Sequence, residues 1–170
     1  MIQARIVATA LYYLTRILAI AYFATAASAT ISFLSGAALR YTTDDKYFEV
    51  LFPFTSQPFL RGDNSTWYII EMVAFLFLYG LFFWLVGNIF KTFREKKLLT
   101  VKGIRRLKIF YLLNFLVPLP FLVLHLAFSY EVSIIVILTV LHAVVGVFAY
   151  FMAAIFRQGL KLQNEQDLFI

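Results

Sequence analysis

The chain has 170 residues, of which 62% are hydrophobic and 14% are charged, and its formal net charge is +6. Soluble domains are on average about half apolar and about a quarter charged. The composition therefore excludes an ordinary soluble globular domain and an intrinsically disordered chain. The sequence contains no cysteine, which excludes a disulfide scaffold, a thiolate metal site and a cysteine nucleophile.

Four long apolar segments follow one another along the chain. At about 1.5 Å per helical residue, each can cross a hydrocarbon core of roughly 30 Å. The runs are continuous, whereas strands of a membrane β-barrel alternate in polarity. We therefore predict an all-α protein, a four-helix transmembrane bundle that forms a single integral membrane domain over residues 1–170. The predicted spans are residues 17–39, 67–90, 107–128 and 132–156.

The N-terminal residues allow two interpretations. Arg5 and the Ala-x-Ala sequence at residues 27–29 are typical of a cleaved signal peptide. Arg16 splits the apolar core that such a peptide needs, and the apolar run continues to Leu39, so a retained span is favoured. Residues 1–15 are then expected to form a helix that starts at the membrane interface, with Arg16 reaching the headgroups.

The basic residues are distributed unevenly between the connections. Twelve of the 15 Lys and Arg residues fall in the N-terminal segment, around the connection after the second span, and in the C-terminal tail. By the positive-inside rule, both termini, a basic loop at residues 91–106 and a tail at residues 157–170 are predicted to be cytoplasmic. Such a basic cluster attracts anionic lipid or an acidic protein surface. Membrane orientation alone explains the basic excess, so direct nucleic-acid binding is not predicted.

The predicted outer loop, residues 40–66, is rich in aromatic residues and contains Pro53 and Pro58. Aromatic side chains favour the membrane interface, and the prolines oppose a regular helix. A compact cap on the outer leaflet is the favoured interpretation, and a lid over a ligand-binding crevice is the alternative.

Two further patterns concern helix packing. Pro118 and Pro120 predict a kink within the third span. Small residues lie at helical spacing within the first, second and fourth spans, which favours close helix–helix packing. These residues are Ala19, Ala26, Thr30, Gly80, Gly87, Gly146, Ala149 and Ala153.

Polar residues within the spans are candidate sites because they are unfavourable in lipid. His142 lies near the middle of the fourth span, where a carbonyl freed at the proline kink or a Ser or Thr of the first span can satisfy it. Asn114 is predicted to be an interhelical hydrogen-bond partner. Three groups near the outer ends of the spans would form a carboxylate–imidazole cluster or stay separately hydrated, the second being favoured: Glu71, His125 and Glu131.

The sequence contains none of the motifs G-x-S-x-G, H-E-x-x-H or Walker A. We therefore expect a protein that is not an enzyme and that uses neither a metal nor another cofactor.

Two stretches around the basic loop and the tail carry a family resemblance. The first is Leu99-Thr100-Val101-Lys102-Gly103-Ile104-Arg105-Arg106-Leu107-Lys108, and the second runs from Phe156-Arg157-Gln158-Gly159 through Leu162-Gln163-Asn164-Glu165-Gln166-Asp167-Leu168-Phe169-Ile170. Together with the span pattern, they resemble the bacterial membrane-protein family known as domain of unknown function 2975. The chain departs from the family pattern at Gly103, where the family usually has Asn, and at Phe169, where it usually has Thr.

The resemblance implies a multi-pass protein of the bacterial inner membrane, encoded beside a small helix-turn-helix regulator. The expected function is a non-enzymatic membrane sensor or scaffold that binds a partner, such as this regulator, at its cytoplasmic face. The alternatives are a small transporter or lipid-binding protein using the intramembrane polar residues, and an immunity-type protein acting through residues 48–59. Homo-oligomerisation stays open. The candidate partner-binding residues are Thr100, Arg105, Arg106, Arg157, Gln163, Glu165 and Asp167.

Overall fold

A computed structural model describes residues 2–42, 44–128 and 133–166, and these residues form five helices and three strands. The elements in chain order are α1 (Ile2–Ser35), β1 (Leu39–Thr42), β2 (Tyr47–Leu51), β3 (Pro58–Asp63), α2 (Thr66–Arg94), α3 (Val101–Leu116), α4 (Pro118–Phe128) and α5 (Ser133–Gln166).

Four helical segments are long and apolar enough to cross a membrane: Gln3–Ser35, Thr66–Arg94, Val101–Ala127 and Ile134–Gln166. Most side chains in these segments are not buried within the protein, as expected for surfaces that face lipid. The predicted helical class and the four spans are confirmed, and the chain is a multi-pass membrane protein.

The helices are longer than the predicted spans. Helix α1 and helix α5 each have 34 residues, and a helix of that length measures about 51 Å against a hydrocarbon core of roughly 30 Å. The stretch of α1 from Arg16 to its last residue, Ser35, alone covers about 29 Å. Helix α1 is therefore about four turns longer than a span that begins at Arg16 requires. Helix α5 likewise continues without a break into the predicted tail.

The third span is interrupted where the sequence predicts a kink. Helix α3 ends at Leu116, Val117 caps it by donating its backbone N–H to the Leu113 carbonyl at 3.0 Å, and α4 begins at Pro118. Proline has no N–H to continue the helical ladder, and its ring clashes with the carbonyl one turn earlier. The predicted kink position coincides with the boundary between α3 and α4, where Val117 keeps helical backbone angles (φ −70°, ψ −41°).

Contacts between backbone atoms divide the chain into two compact units, residues 13–84 and residues 1–12 with 85–170. In the first unit, the predicted outer loop folds as a three-stranded antiparallel sheet in the order β1-β2-β3. Strand β2 is central, with Glu49 opposite Arg40 on β1 and opposite Arg61 on β3. A compact structure was expected for residues 40–66, but strands were not predicted.

One face of this sheet is apolar and the other is polar. Phe48 and Val50 have no exposed area, and the Phe48 ring lies 4.9 Å from the ring of Phe33 on α1 and 6.3 Å from that of Tyr68 on α2. Glu49 points to the opposite face, because successive side chains of a strand alternate. This packing favours the cap interpretation over a lid.

The core of the second unit lies where α3 and α5 pack together. Leu107, Ala153 and Phe156 are at most 4% exposed and contact partly buried apolar side chains from α2, α3 and α5. Ala149 and Gly146 continue the buried face of α5. The predicted small-residue face of the fourth span is therefore a packing surface, as in other membrane helices.

Candidate functional site

The candidate site is the basic end of the second unit, which we call the basic head. It comprises residues 2–12, 87–108 and 157–166, and it holds 11 Lys and Arg residues with two acidic residues, Glu95 and Glu165. The predicted basic loop is largely helical, because α2 continues to Arg94 and α3 starts at Val101. Residues 95–100 make the whole connection.

Thr100 starts helix α3. Its backbone is extended, and its side-chain oxygen accepts a hydrogen bond from the Gly103 backbone N–H at 3.1 Å. This is an N-cap, in which a hydroxyl replaces the missing helical acceptor of the first turn. Thr100 therefore positions the basic turns of α3, whose Lys102 and Arg105 are exposed.

Arg106 is engaged within the head. One guanidinium nitrogen donates to the Glu95 carboxylate at 2.8 Å and to the Thr92 hydroxyl at 3.1 Å. Thr92 has no exposed area, and its own hydroxyl donates to the Asn88 carbonyl at 3.3 Å. The Arg106 side chain is only 20% exposed. Arg106 thus ties the end of α2 to the start of α3, and its charge is neutralised inside the head.

The exposed basic residues form a different group from Arg106. Arg105 and Arg157 are exposed, and so is Val101, at 72%. The remaining exposed basic side chains of the head are Lys91, Lys96, Lys97, Lys102, Lys108 and Lys161. Of the two adjacent arginines predicted to bind a partner, the structure leaves Arg105 accessible.

Of the acidic tail residues predicted to bind a partner, the structure describes Glu165. Glu165 is exposed and lies 3.8 Å from Lys161, one turn earlier on α5. Such a surface pair contributes about 0.5 kcal/mol or less. Gln163 is half-buried on the same helix. Asp167 and the apolar end of the tail lie outside the described residues.

Further contacts that the sequence did not reveal hold the head together. A Cβ on Gly159 of α5 would lie 2.8 Å from a Leu99 methyl, and one on Gly103 would lie 2.6 Å from the Thr92 methyl. Arg5 donates to the Lys96 carbonyl at 3.2 Å, and the Arg94 guanidinium lies 4.4 Å from the Tyr12 ring centroid. Glu95, the single acid in a basic run, was the available signal for the Arg106 contact.

Within the spans, His142 has a defined partner. Its Nδ1 lies 2.8 Å from Oδ1 of Asn114, and the Asn114 amide nitrogen donates to the Phe110 carbonyl at 2.9 Å. An amide oxygen can only accept, so the hydrogen bond requires the proton on Nδ1. The predicted interhelical role of Asn114 is confirmed. For His142, the expected partners were a carbonyl freed at the proline kink or a Ser or Thr of the first span, not this amide.

Whether Glu71, His125 and Glu131 form a carboxylate–imidazole cluster or stay separately hydrated, as favoured, is not tested, because Glu131 lies outside the described residues. Glu71 and His125 are both half-buried and belong to different units. Across residues 2–42, 44–128 and 133–166, no group of three or more His, Cys, Asp or Glu side chains is placed to hold a metal ion.

Two apolar features belong to the unit of residues 13–84. A groove of about 780 Å³ between α1 and α2 is lined by residues such as Phe23, Ala27, Ile70 and Phe77, and His142 is not among them. In the sheet, Phe48 is buried. An immunity-type protein acting through residues 48–59 would therefore have to use other side chains of this segment.

Comparison with known proteins identifies the family. The family model described as "Protein of unknown function (DUF2975)" matches residues 2–170. The chain therefore belongs to this family, as the motifs around the basic loop and the tail indicated. No curated protein and no solved structure matches the chain significantly.

Proposed function

We propose that this member of the DUF2975 family is a non-enzymatic scaffold or sensor of the bacterial inner membrane. Its basic head lies in the cytoplasm and binds an acidic protein surface. The partner class implied by the family resemblance is a small helix-turn-helix transcriptional regulator. Held at the membrane, such a regulator would be kept from its DNA.

The observation that carries this proposal is the difference between two neighbouring arginines, of which Arg106 is paired inside the head and Arg105 is exposed. Arg106 is neutralised by Glu95 and fixes the ends of α2 and α3. This leaves Arg105 and Lys102 exposed on a helix whose first turn is capped. A guanidinium can bind a carboxylate through two parallel hydrogen bonds, and a fixed helix reduces the entropy lost on binding.

The orientation is part of the proposal. The excess of Lys and Arg in the head supports a cytoplasmic location, because short loops rich in these residues stay on that side. Fusing a reporter that is active only in the cytoplasm to the C-terminus tests this. A fusion that is active only outside the cytoplasm would contradict the orientation and with it the proposed partner.

Partner binding is tested by expressing the tagged full chain with the regulator encoded beside its gene. We expect the regulator in the membrane fraction with the unaltered chain, and its release by the double variant Lys102→Ala, Arg105→Ala. The matched control is Lys46→Ala, an exposed basic residue next to strand β2, which should retain the regulator.

Arg106→Ala is not used in this test, because losing an internal contact would affect folding as well as binding. A regulator that stays soluble with the unaltered chain, or that remains membrane-bound with the double variant, would overturn the proposal. Reconstituting the full chain in neutral and in anionic lipid separates protein binding from lipid binding. Only a head that binds lipid would respond to the change of lipid when the regulator is absent.

A further inference from the structure

The turn between β2 and β3 carries exposed aromatic side chains. Phe54, at its tip, is fully exposed, Phe52 is 51% exposed, and the Phe52 ring lies 5.1 Å from that of Phe59. Phe54 has a φ of +63°, a left-handed conformation that a bulky residue rarely adopts. We call residues 52–57 the aromatic turn.

Hydrogen bonds hold the aromatic turn in this conformation. The Phe52 N–H donates to the Gln57 carbonyl at 2.9 Å, and the Thr55 N–H donates to the Phe52 carbonyl at 3.0 Å. The Thr55 hydroxyl donates to the same carbonyl and accepts from the Gln57 N–H. The turn therefore presents Phe54 outward in a fixed geometry, although exposing a phenyl ring to water is unfavourable.

The chain connectivity places this turn close to the membrane surface. The Leu51 N–H donates to the Ala38 carbonyl at 2.8 Å, and Ala38 is three residues, at most about 11 Å, after the last residue of α1. The Phe48 ring also contacts Phe33, two residues before the end of α1. Since α1 measures about one hydrocarbon thickness from Arg16 to Ser35, the sheet lies at the level of the adjacent headgroups.

The other hairpin turn has the opposite character. The turn between β1 and β2 contains Asp44, Asp45 and Lys46, all exposed. Asn64 fixes it by donating to the backbone carbonyls of Asp45 and Lys46, both at 2.8 Å. One end of the central strand thus carries charges that favour water, while the other carries aromatic rings that favour a membrane interface.

From this contrast we propose that the aromatic turn inserts into the headgroup layer of the leaflet next to the sheet, with Phe54 as the inserted side chain. The occupant of this apolar surface is the lipid of the same membrane that the adjacent helices cross. The insertion removes the phenyl ring from water, whereas the charged turn, which Asn64 holds two residues before the start of α2, stays among the hydrated groups of the membrane surface. This inference is independent of the partner bound by the basic head.

The test uses the full chain in vesicles of phosphatidylcholine and phosphatidylglycerol. Because the sequence has no cysteine, Ser56→Cys introduces a single site for an environment-sensitive fluorophore in the exposed aromatic turn. Asp45→Cys supplies the control at an exposed position of the charged turn. Lipids with a spin label near the headgroup serve as quenchers.

We expect the probe at position 56 to be blue-shifted and quenched, and the probe at position 45 to be neither. Adding Phe54→Ser should abolish the quenching at position 56, and Phe54→Trp should retain it. An unchanged free energy of unfolding in Phe54→Ser shows that the sheet is intact. Equal quenching at both turns, or full quenching in Phe54→Ser, would overturn the proposal. So would disulfide-linked dimers through position 56, which would assign the surface to a second copy of the chain.

Discussion

The basic head and the three-stranded sheet each contain a shielded ion pair, but the buried partner has the opposite sign. In the head, the Arg106 side chain is 20% exposed and is paired with Glu95 at 33%. In the sheet, the Glu49 side chain is 9% exposed, and the arginines beside it, Arg40 and Arg61, are 50% and 59% exposed. The head shields a cation, whereas the sheet shields an anion beneath two cations.

The head and the sheet therefore differ in the interactions that stabilise them. Arg106 connects α2 to α3 through two side chains, so the head depends on a polar contact as well as on its apolar core. In the sheet, Arg40 and Arg61 largely face solvent, but they pair with a buried carboxylate. The sheet therefore combines these ion pairs on one face with the apolar side chains of Phe48 and Val50 buried on the other.

The largest expected effect is on the sheet. Phe48→Ala removes a fully buried ring that packs on Phe33 and Tyr68, and such a deletion destabilises by about 3–5 kcal/mol. Hydrogen exchange followed by mass spectrometry should show loss of protection in residues 39–63. Phe54→Ala, at an exposed ring of the same sheet, should leave protection unchanged. A similar loss in both variants would contradict the proposed role of the apolar face.

In the head, Arg106→Ala should destabilise by about 2 kcal/mol, since hydrogen bonds to charged groups contribute about 1.5–3 kcal/mol each. Arg105→Ala, one residue earlier and exposed, should change stability by less than about 0.5 kcal/mol. Denaturant titration in detergent micelles measures both values. An equal loss of unfolding free energy in both variants would contradict the distinction between an internal Arg106 and an accessible Arg105.

The same contrast explains what could be predicted from the sequence. Four spans and the helix boundary at Pro118 follow from local composition, because apolar run length and proline chemistry need no tertiary information. The sheet was not predicted, since its short strands form through pairing between residues up to 16 apart, such as Tyr47 and Asp63. Local propensity is a weak guide to such pairing.

In the candidate site, the basic cluster and the Thr100 cap were predictable, because a hydroxyl before a helix is a local signal. The separation of Arg105 from Arg106 was not. It depends on which side of α3 faces Thr92 and Glu95, and the sequence carried only the isolated acid as a sign. Asn114 was identified as a hydrogen-bond partner, but the pairing with His142 required the helices to be placed.

Removing the cap should have a smaller effect than removing the Arg106 contact. Thr100→Ala loses the hydrogen bond from the Gly103 N–H, which corresponds to about 1 kcal/mol. Thr100→Ser keeps the hydroxyl and should retain most of the stability. Unfolding of both variants in detergent checks this, and an equal loss in Thr100→Ser would show that the methyl group, not the cap, stabilises the start of α3.

The smallest effect tests how tightly the head is packed around Arg106. In Gly103→Ala the new Cβ would lie 2.6 Å from the methyl group of the buried Thr92. Overpacking typically costs about 1–3 kcal/mol, and contact with a single methyl favours the lower end. Replacing a helical glycine recovers up to about 1 kcal/mol, so a net loss of several tenths of a kcal/mol is expected.

Thr92→Ser removes that methyl but keeps the hydroxyl that accepts from Arg106. The double variant Gly103→Ala, Thr92→Ser should therefore be more stable than the sum of the single effects predicts, because the clash is absent while the helical gain remains. A double-mutant cycle of unfolding free energies measures this coupling. Strict additivity would mean that the two helices separate at Gly103 without strain, and that Arg106 alone sets their distance.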